Sequence, residues 1–139
     1  MEFSLEITPD LIATAQAVGL IRQGETLLEV TPFGDAFIER GEHIYLISFT
    51  DGFIEDVTEL AADFGLPPEH LDLADEWYQL GTLGDLKAQG LTLEHGQCFG
   101  FITPLSKGGD YGPENVTTFT ISEYWQDRFL GLTRKASEK

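Results

Sequence analysis

Three histidines, one cysteine and twenty-four carboxylates are the residues of this chain with the means to do chemistry. His43, His70 and His95 are nowhere paired at a metal-ligand spacing, and His95-x2-Cys98 is a single nitrogen–sulfur pair with no second cluster to complete a tetrahedral site. No alternating Asp-x-Asp-x-Asp-Gly loop occurs, so an EF-hand is excluded. Cys98 stands between Gln97 and Phe99 in an apolar run, the setting of an inert packing thiol and not of a nucleophile. No Gly-x-Ser-x-Gly elbow is present. Lys107-Gly108-Gly109-Asp110-Tyr111-Gly112 superficially resembles a phosphate cradle. It lacks the Gly-Lys-Ser/Thr ending and leads into a strand, so its glycines are read as conformational. No metal, cofactor or catalytic residue is expected.

The carboxylates fall into two groups. Asp51, Glu55, Asp56 and Glu59 surround a turn, and Asp72, Asp75 and Glu76 lie on a helix. Paired acids can hydrolyse glycosidic bonds, but an acid-rich chain produces such pairs by chance, and these spacings fit a solvated face. The charge is uneven. Of 24 acids and 8 bases (net −16), residues 1–86 hold 18 acids and 2 bases, again −16; residues 87–139 hold 6 of each, which is zero. A field of that sign repels nucleic acid and anionic lipid and favours a basic protein partner; the plain alternative is solubility. Trp77-Tyr78 and Tyr124-Trp125 are each expected to turn one ring inward and the next outward, which makes Tyr78 a candidate anchor; the plain alternative is half-buried packing. The expected partner surface is therefore Asp51, Glu55, Asp56, Glu59, Asp72, Asp75, Glu76 and Tyr78.

The elements that must position these residues belong to one domain, 1–139, of a size that buries its own core. With 42% hydrophobic and 12% aromatic residues, disorder is excluded. A lone cysteine allows no intrachain disulfide and fits a reducing, cytoplasmic setting. No basic n-region opens the chain and no run approaches the ~18 apolar residues of a membrane helix. Thr8-Pro9-Asp10 predicts a helix start and Gly19 its stop. Residues 26–31, 36–40, 43–49 and 53–57 predict an antiparallel meander, with Asp51-Gly52 as a type I′ hairpin turn. From Pro67-Pro68-Glu69 the apolar spacing predicts helix through Leu86, interrupted or closely approached at Gly81 and Gly84, with Gly90 as its stop. Residues 97–102 and 116–121 predict strands of the same sheet. Ser122 is expected to cap a last helix, 122–136, that covers the sheet through Trp125, Phe129 and Leu132 and carries Arg134-Lys135 in its last turn. The predicted fold is α+β: a single antiparallel or mixed sheet of five to six strands packed by helices.

Two stretches carry a resemblance. One is Val30-Thr31-Pro32-Phe33-Gly34-Asp35-Ala36-Phe37 with the hairpin His43-Ile44-Tyr45-Leu46-Ile47…Asp51-Gly52. The other is Gly96-Gln97-Cys98-Phe99-Gly100-Phe101-x2-Pro104-Leu105-x2-Gly108-Gly109-x5-Glu114-Asn115. In order and spacing they resemble the C-terminal domain of bacterial type VI secretion DNase immunity proteins over roughly residues 27–137, with a looser likeness to the SUKH immunity superfamily. The chain departs from the family pattern at Pro104–Gly109, and by the same resemblance residues 1–25 are expected to stand where the family commonly has a larger N-terminal module. The resemblance implies a small α+β domain without catalysis that neutralises a cognate toxin by binding, and with the acidic 1–86 segment the expected toxin is a basic nuclease. The alternatives are a regulatory or scaffolding protein-binding module, and a hydrolase with a concave site joining acids of residues 51–59 to those of 72–76.

Overall fold

The computed structural model describes residues 5–66, 68–103, 107–109, 112–129 and 133–134. Helix α1 (Pro9–Val18) starts where Thr8 Oγ1 accepts the Leu11 amide at 3.1 Å, with Pro9 in the first turn, where its missing N–H is not needed. It ends at Gly19, φ +87, a left-handed conformation open to glycine without Cβ strain.

The expected meander follows. Strands β1 (Thr26–Val30), β2 (Ala36–Arg40), β3 (His43–Ser48) and β4 (Phe53–Asp56) pair antiparallel in that spatial order. The β3–β4 connection is not the two-residue turn expected. Ser48 pairs with Phe53, so residues 49–52 all lie in the loop. The Gly52 amide donates to the Ser48 carbonyl at 2.8 Å and the Asp51 amide to Ser48 Oγ at 3.1 Å. Gly52 has positive φ but Asp51 does not, and a type I′ turn requires both.

The period-two alternation splits the sheet's side chains between two cores. On one face Ala36, Ile38, Tyr45, Ile47 and Ile54 pack with Leu11 and Ala15 of α1 and with Ile121, Tyr124 and Trp125 of α5 (Ile121–Phe129). On the other, Leu28, Phe37, Ile44, Leu46 and Phe53 meet α2 (Thr58–Phe64) and α3 (Leu71–Tyr78) through Leu60, Leu73, Trp77 and Tyr78. Helix α2 was not predicted. The helical run breaks at Gln79 (φ 56, ψ 51), and both Gly81 and Gly84 sit inside α4 (Leu80–Ala88). Pro67 lies outside the described residues.

The fold is α+β, but not with a single sheet. Strands β5 (Gln97–Phe101) and β6 (Val116–Thr120) form a separate two-stranded antiparallel sheet. Each edge of the meander makes a short contact with another segment. Its β4 edge pairs in parallel with β7 (Thr133–Arg134), and at β1 the Leu5 amide donates to the Val30 carbonyl at 2.7 Å. The second sheet joins the first region through Phe99 N–H to the Pro32 carbonyl at 2.7 Å and through Cys98 and Phe119, which pack into the first core. A third core, Phe33, Leu83, Leu86, Phe99, Phe101 and Val116, holds it against α4.

Helix α5 covers the sheet through Trp125 and Phe129 as expected. It begins at Ile121, so Ser122 lies inside it. Arg128 is the basic residue of its last turn, and Arg134 belongs to β7. Leu132 and Lys135 lie outside the described residues.

Candidate functional site

The turn between β1 and β2 sets the floor of the site. Thr31 Oγ1 accepts the amides of Phe33 and Asp35 at 3.2 and 3.3 Å, and the Thr31 amide donates to the Asp35 carbonyl at 2.8 Å. Gly34, at φ +81, presents its carbonyl to Trp125 Nε1 at 2.8 Å. A Cβ there would stand 3.1 Å from Cys98 Sγ and 3.2 Å from the Tyr124 ring. This turn delivers Asp35, 2% exposed, beneath the β3–β4 loop. Its Oδ1 accepts the Thr50 amide at 3.0 Å and the Thr50 hydroxyl at 3.1 Å. Burial disfavours the charged form and pushes the carboxyl pKa up to about 7, against the opposing pull of the Thr50 hydrogen bonds.

Above Asp35 the two predicted acidic groups converge. A groove of about 370 Å³ is lined by Asp51, Asp75, Glu76, Gln79, Gly81 and Thr82. A smaller cavity of about 110 Å³ lies against it, with Asp35, Asp51, Glu55, Glu76, Trp77 and Gln79 among its walls. Asp51 comes from the β3–β4 loop and Glu55 from β4, whereas Asp75 and Glu76 come from α3. Packing of α3 on the sheet through Trp77 against Phe37, ring centroids 5.1 Å apart, brings them together. Asp75 Oδ1 accepts the Gly81 amide at 3.0 Å and so holds the start of α4. No Lys, Arg or His is among the described lining residues.

The other predicted residues are placed elsewhere. Asp56 alternates to the opposite sheet face from Glu55. There its Oδ1 accepts the Thr58 amide (2.9 Å) and hydroxyl (2.6 Å), and its Oδ2 meets His43 Nδ1 at 2.9 Å. The Thr58 hydrogen bonds hold its carboxyl below the usual range. Glu59 on α2 and Asp72 on α3 are exposed but line neither cavity. The outward aromatics are a correction. Trp77 (5%), Tyr78 (0%), Tyr124 (1%) and Trp125 (0%) are all buried. Consecutive helical residues lie about 100° apart, and each pair falls within an apolar arc wide enough for both. Tyr78 stacks on Phe37 and donates from its hydroxyl to Glu29 Oε1 at 3.2 Å, so it offers no exposed anchor.

Cys98 is fully buried, and burial pushes its thiol up, away from the reactive thiolate. Within the 107–112 loop, a Cβ on Gly109 would collide with the Thr103 carbonyl, so glycine there serves a close backbone approach. Asp110 and Tyr111 lie outside the described residues. Among the described residues no group of three or more His, Cys, Asp or Glu could hold a metal ion. No helix there is long and apolar enough to cross a membrane.

Sequence reasoning missed Asp35 and Gln79 as site residues. The Gly34-Asp35 step before an apolar strand was a usable signal for the first. Nothing marked Gln79, because a left-handed glutamine between two helices has no local signature.

The family model described as "T6SS immunity protein Tdi1, C-terminal" matches residues 59–130, just over half of the 139-residue chain. The chain belongs to this family. No curated protein matches it. The Tdi1 C-terminal match includes the Gly96–Asn115 stretch, while Val30–Phe37 and the first hairpin precede it. The groove therefore straddles the boundary of the match. Asp75, Glu76 and Gln79 fall inside it, and Asp35, Asp51 and Glu55 outside.

Proposed function

We propose that this protein is a cytoplasmic, non-catalytic immunity protein that neutralises a basic type VI secretion toxin, a nuclease, by binding it with its acidic face. Membership in the Tdi1 C-terminal family supports the immunity role. The observation that carries the binding mode is the convergence of acids from two separate elements, Asp51, Asp75 and Glu76 on the groove and Asp51, Glu55 and Glu76 on the cavity against it. A charged rim of this kind accelerates encounter with a basic partner and repels nucleic acid. Glu59 and Asp72 add exposed negative charge on α2 and α3, and Asp56 lies on the other face of the sheet.

One observation favours a second reading, hydrolysis by clustered carboxylates. Asp35 is a buried carboxyl with a raised pKa at the floor of a cavity, which is the setting of a general acid. One assay separates the two. The protein is co-expressed with the toxin encoded beside its gene and scored for cell survival. Binding predicts protection by the wild type and by Asp35→Asn, and loss of protection when Asp51, Glu55, Asp75 and Glu76 are reversed to Lys. Loss of protection in folded Asp35→Asn alone supports catalysis. Death of cells carrying the wild-type protein overturns the immunity reading.

A further inference from the structure

Gln79 occupies an unusual position in the acidic groove. It is 9% exposed and lines both the groove and the smaller cavity. Its backbone is fully engaged: the amide donates to the Asp75 carbonyl at 2.7 Å and the carbonyl accepts from the Leu83 amide at 2.9 Å. Its side-chain amide has no hydrogen-bond partner among the described residues. It is also not among the fully sealed unpaired polar atoms, of which Tyr124 Oη is the one described example. The amide thus opens into the cavity. Water reaches this amide in the free protein, and a ligand donor entering the cavity can replace that water. Gln79 is also the one described non-glycine residue with positive φ, a conformation costing about 1–2 kcal/mol and common where strain serves a site.

We propose that this cavity is the receptor for one arginine side chain of the partner, with Gln79 Oε1 and the Glu76 and Asp51 carboxylates accepting from its guanidinium. The proposal rests on the toxin-binding reading and specifies its central contact. Three considerations carry it. The acceptors come from two elements, the β3–β4 loop and the α3–α4 elbow, and so surround the cavity instead of lying along one edge. A planar group with five donors satisfies such a ring of acceptors, whereas an ammonium has three. At about 110 Å³ the inner cavity exceeds several times the roughly 30 Å³ that one water occupies in the liquid, which is room for a side-chain head group. The cavity also has an apolar wall, Trp77, Leu46 and Phe53, against which the flat face of a guanidinium and its methylene stem can lie.

The test uses the full-length protein and the toxin encoded beside its gene, carrying an inactivating substitution. Gln79→Gly removes the amide and keeps the left-handed elbow, and Glu76→Gln removes one charge at constant shape. Each is expected to weaken the complex at least tenfold, with Glu42→Gln, at the opposite end of β3, unchanged. The wild-type and variant complexes are then formed at saturating concentration and treated with phenylglyoxal, and the modified toxin peptides are mapped by mass spectrometry. One toxin arginine is expected to be shielded in the wild-type complex and reactive in the Gln79→Gly complex. Wild-type affinity in both variants overturns the proposal, as does a shielding pattern unchanged between the complexes. Shielding of a lysine from acetylation in place of an arginine overturns the guanidinium assignment. In all these outcomes a tight wild-type complex leaves the immunity reading standing; only absence of binding and protection by the wild type removes it.

Discussion

Asp35 is a buried carboxyl held by neutral donors, with the Asp51 charge nearby. Thr50 supplies an amide and a hydroxyl, and burial outweighs both, so the group titrates near pH 7 and not at its ordinary 3.8. Between those values the folded state keeps a proton that the unfolded chain has lost. Stability therefore falls as pH rises through that window, and is unaffected by this group below it. Asp35→Asn keeps an acceptor for Thr50 and carries no charge. Its stability relative to wild type should rise by on the order of a few kcal/mol between pH 4.5 and pH 8, read from urea unfolding at each pH. Parallel stability curves would show that Asp35 does not titrate in this range. Close packing sets a second expectation. A Cβ on Gly100 would stand 2.6 Å from the Tyr124 ring and 2.7 Å from Phe119. Gly100→Ala should cost roughly 1–3 kcal/mol as overpacked cores do, seen as a lower urea midpoint at unchanged slope. Cys98, beside the same ring, should resist alkylation in the native protein, and Cys98→Ala should protect cells as well as wild type.

At the scale of elements, two junctions decide how the site is held. The α1 start depends on the Thr8 side chain, so Thr8→Ala should destabilise by about 1 kcal/mol without affecting partner binding, because α1 packs on the sheet face away from the groove. The α3–α4 elbow depends on one left-handed residue. In Gln79→Gly, relief of backbone strain opposes the greater flexibility of the unfolded chain and the loss of side-chain packing. Calorimetry should place that variant within about 1 kcal/mol of wild type. A loss well beyond this would mean that the glutamine is retained for packing and not for its amide.

For the whole molecule the charge is uneven along the chain: −16 on residues 1–86 and zero on 87–139. Association with a basic toxin should slow markedly as salt rises, since surface charges are screened over ~8 Å at physiological ionic strength. Stopped-flow rates at low and high salt measure this, and a salt-independent on-rate would exclude steering. Reversing Asp51 and Glu55, or Asp75 and Glu76, should lower the on-rate more than it raises the off-rate. Equivalent changes on exposed residues of 87–139 should do neither.

What the sequence determined by itself was local or additive. The helix start at Thr8-Pro9, the stop at Gly19 and the four-strand meander follow from neighbours along the chain, because caps and period-two burial are short-range effects. The acidic imbalance and the buried thiol of Cys98 follow from residue types and their immediate surroundings. The tertiary structure decided everything that depends on which surfaces meet. Strands β5 and β6 carry the same alternation as the meander, yet form a sheet of their own that packs against α4. Tyr78 reads as an outward ring until α3 docks with both of its aromatics against Phe37. Asp56 and Glu55 are neighbours in the chain but lie on opposite faces of a strand. Asp51 and Glu76, 25 positions apart, share one groove because α3 packs beside the β3–β4 loop. Nothing local carries that information: a carboxylate's partners are fixed by the packing of hydrophobic side chains elsewhere, here Trp77 on Phe37.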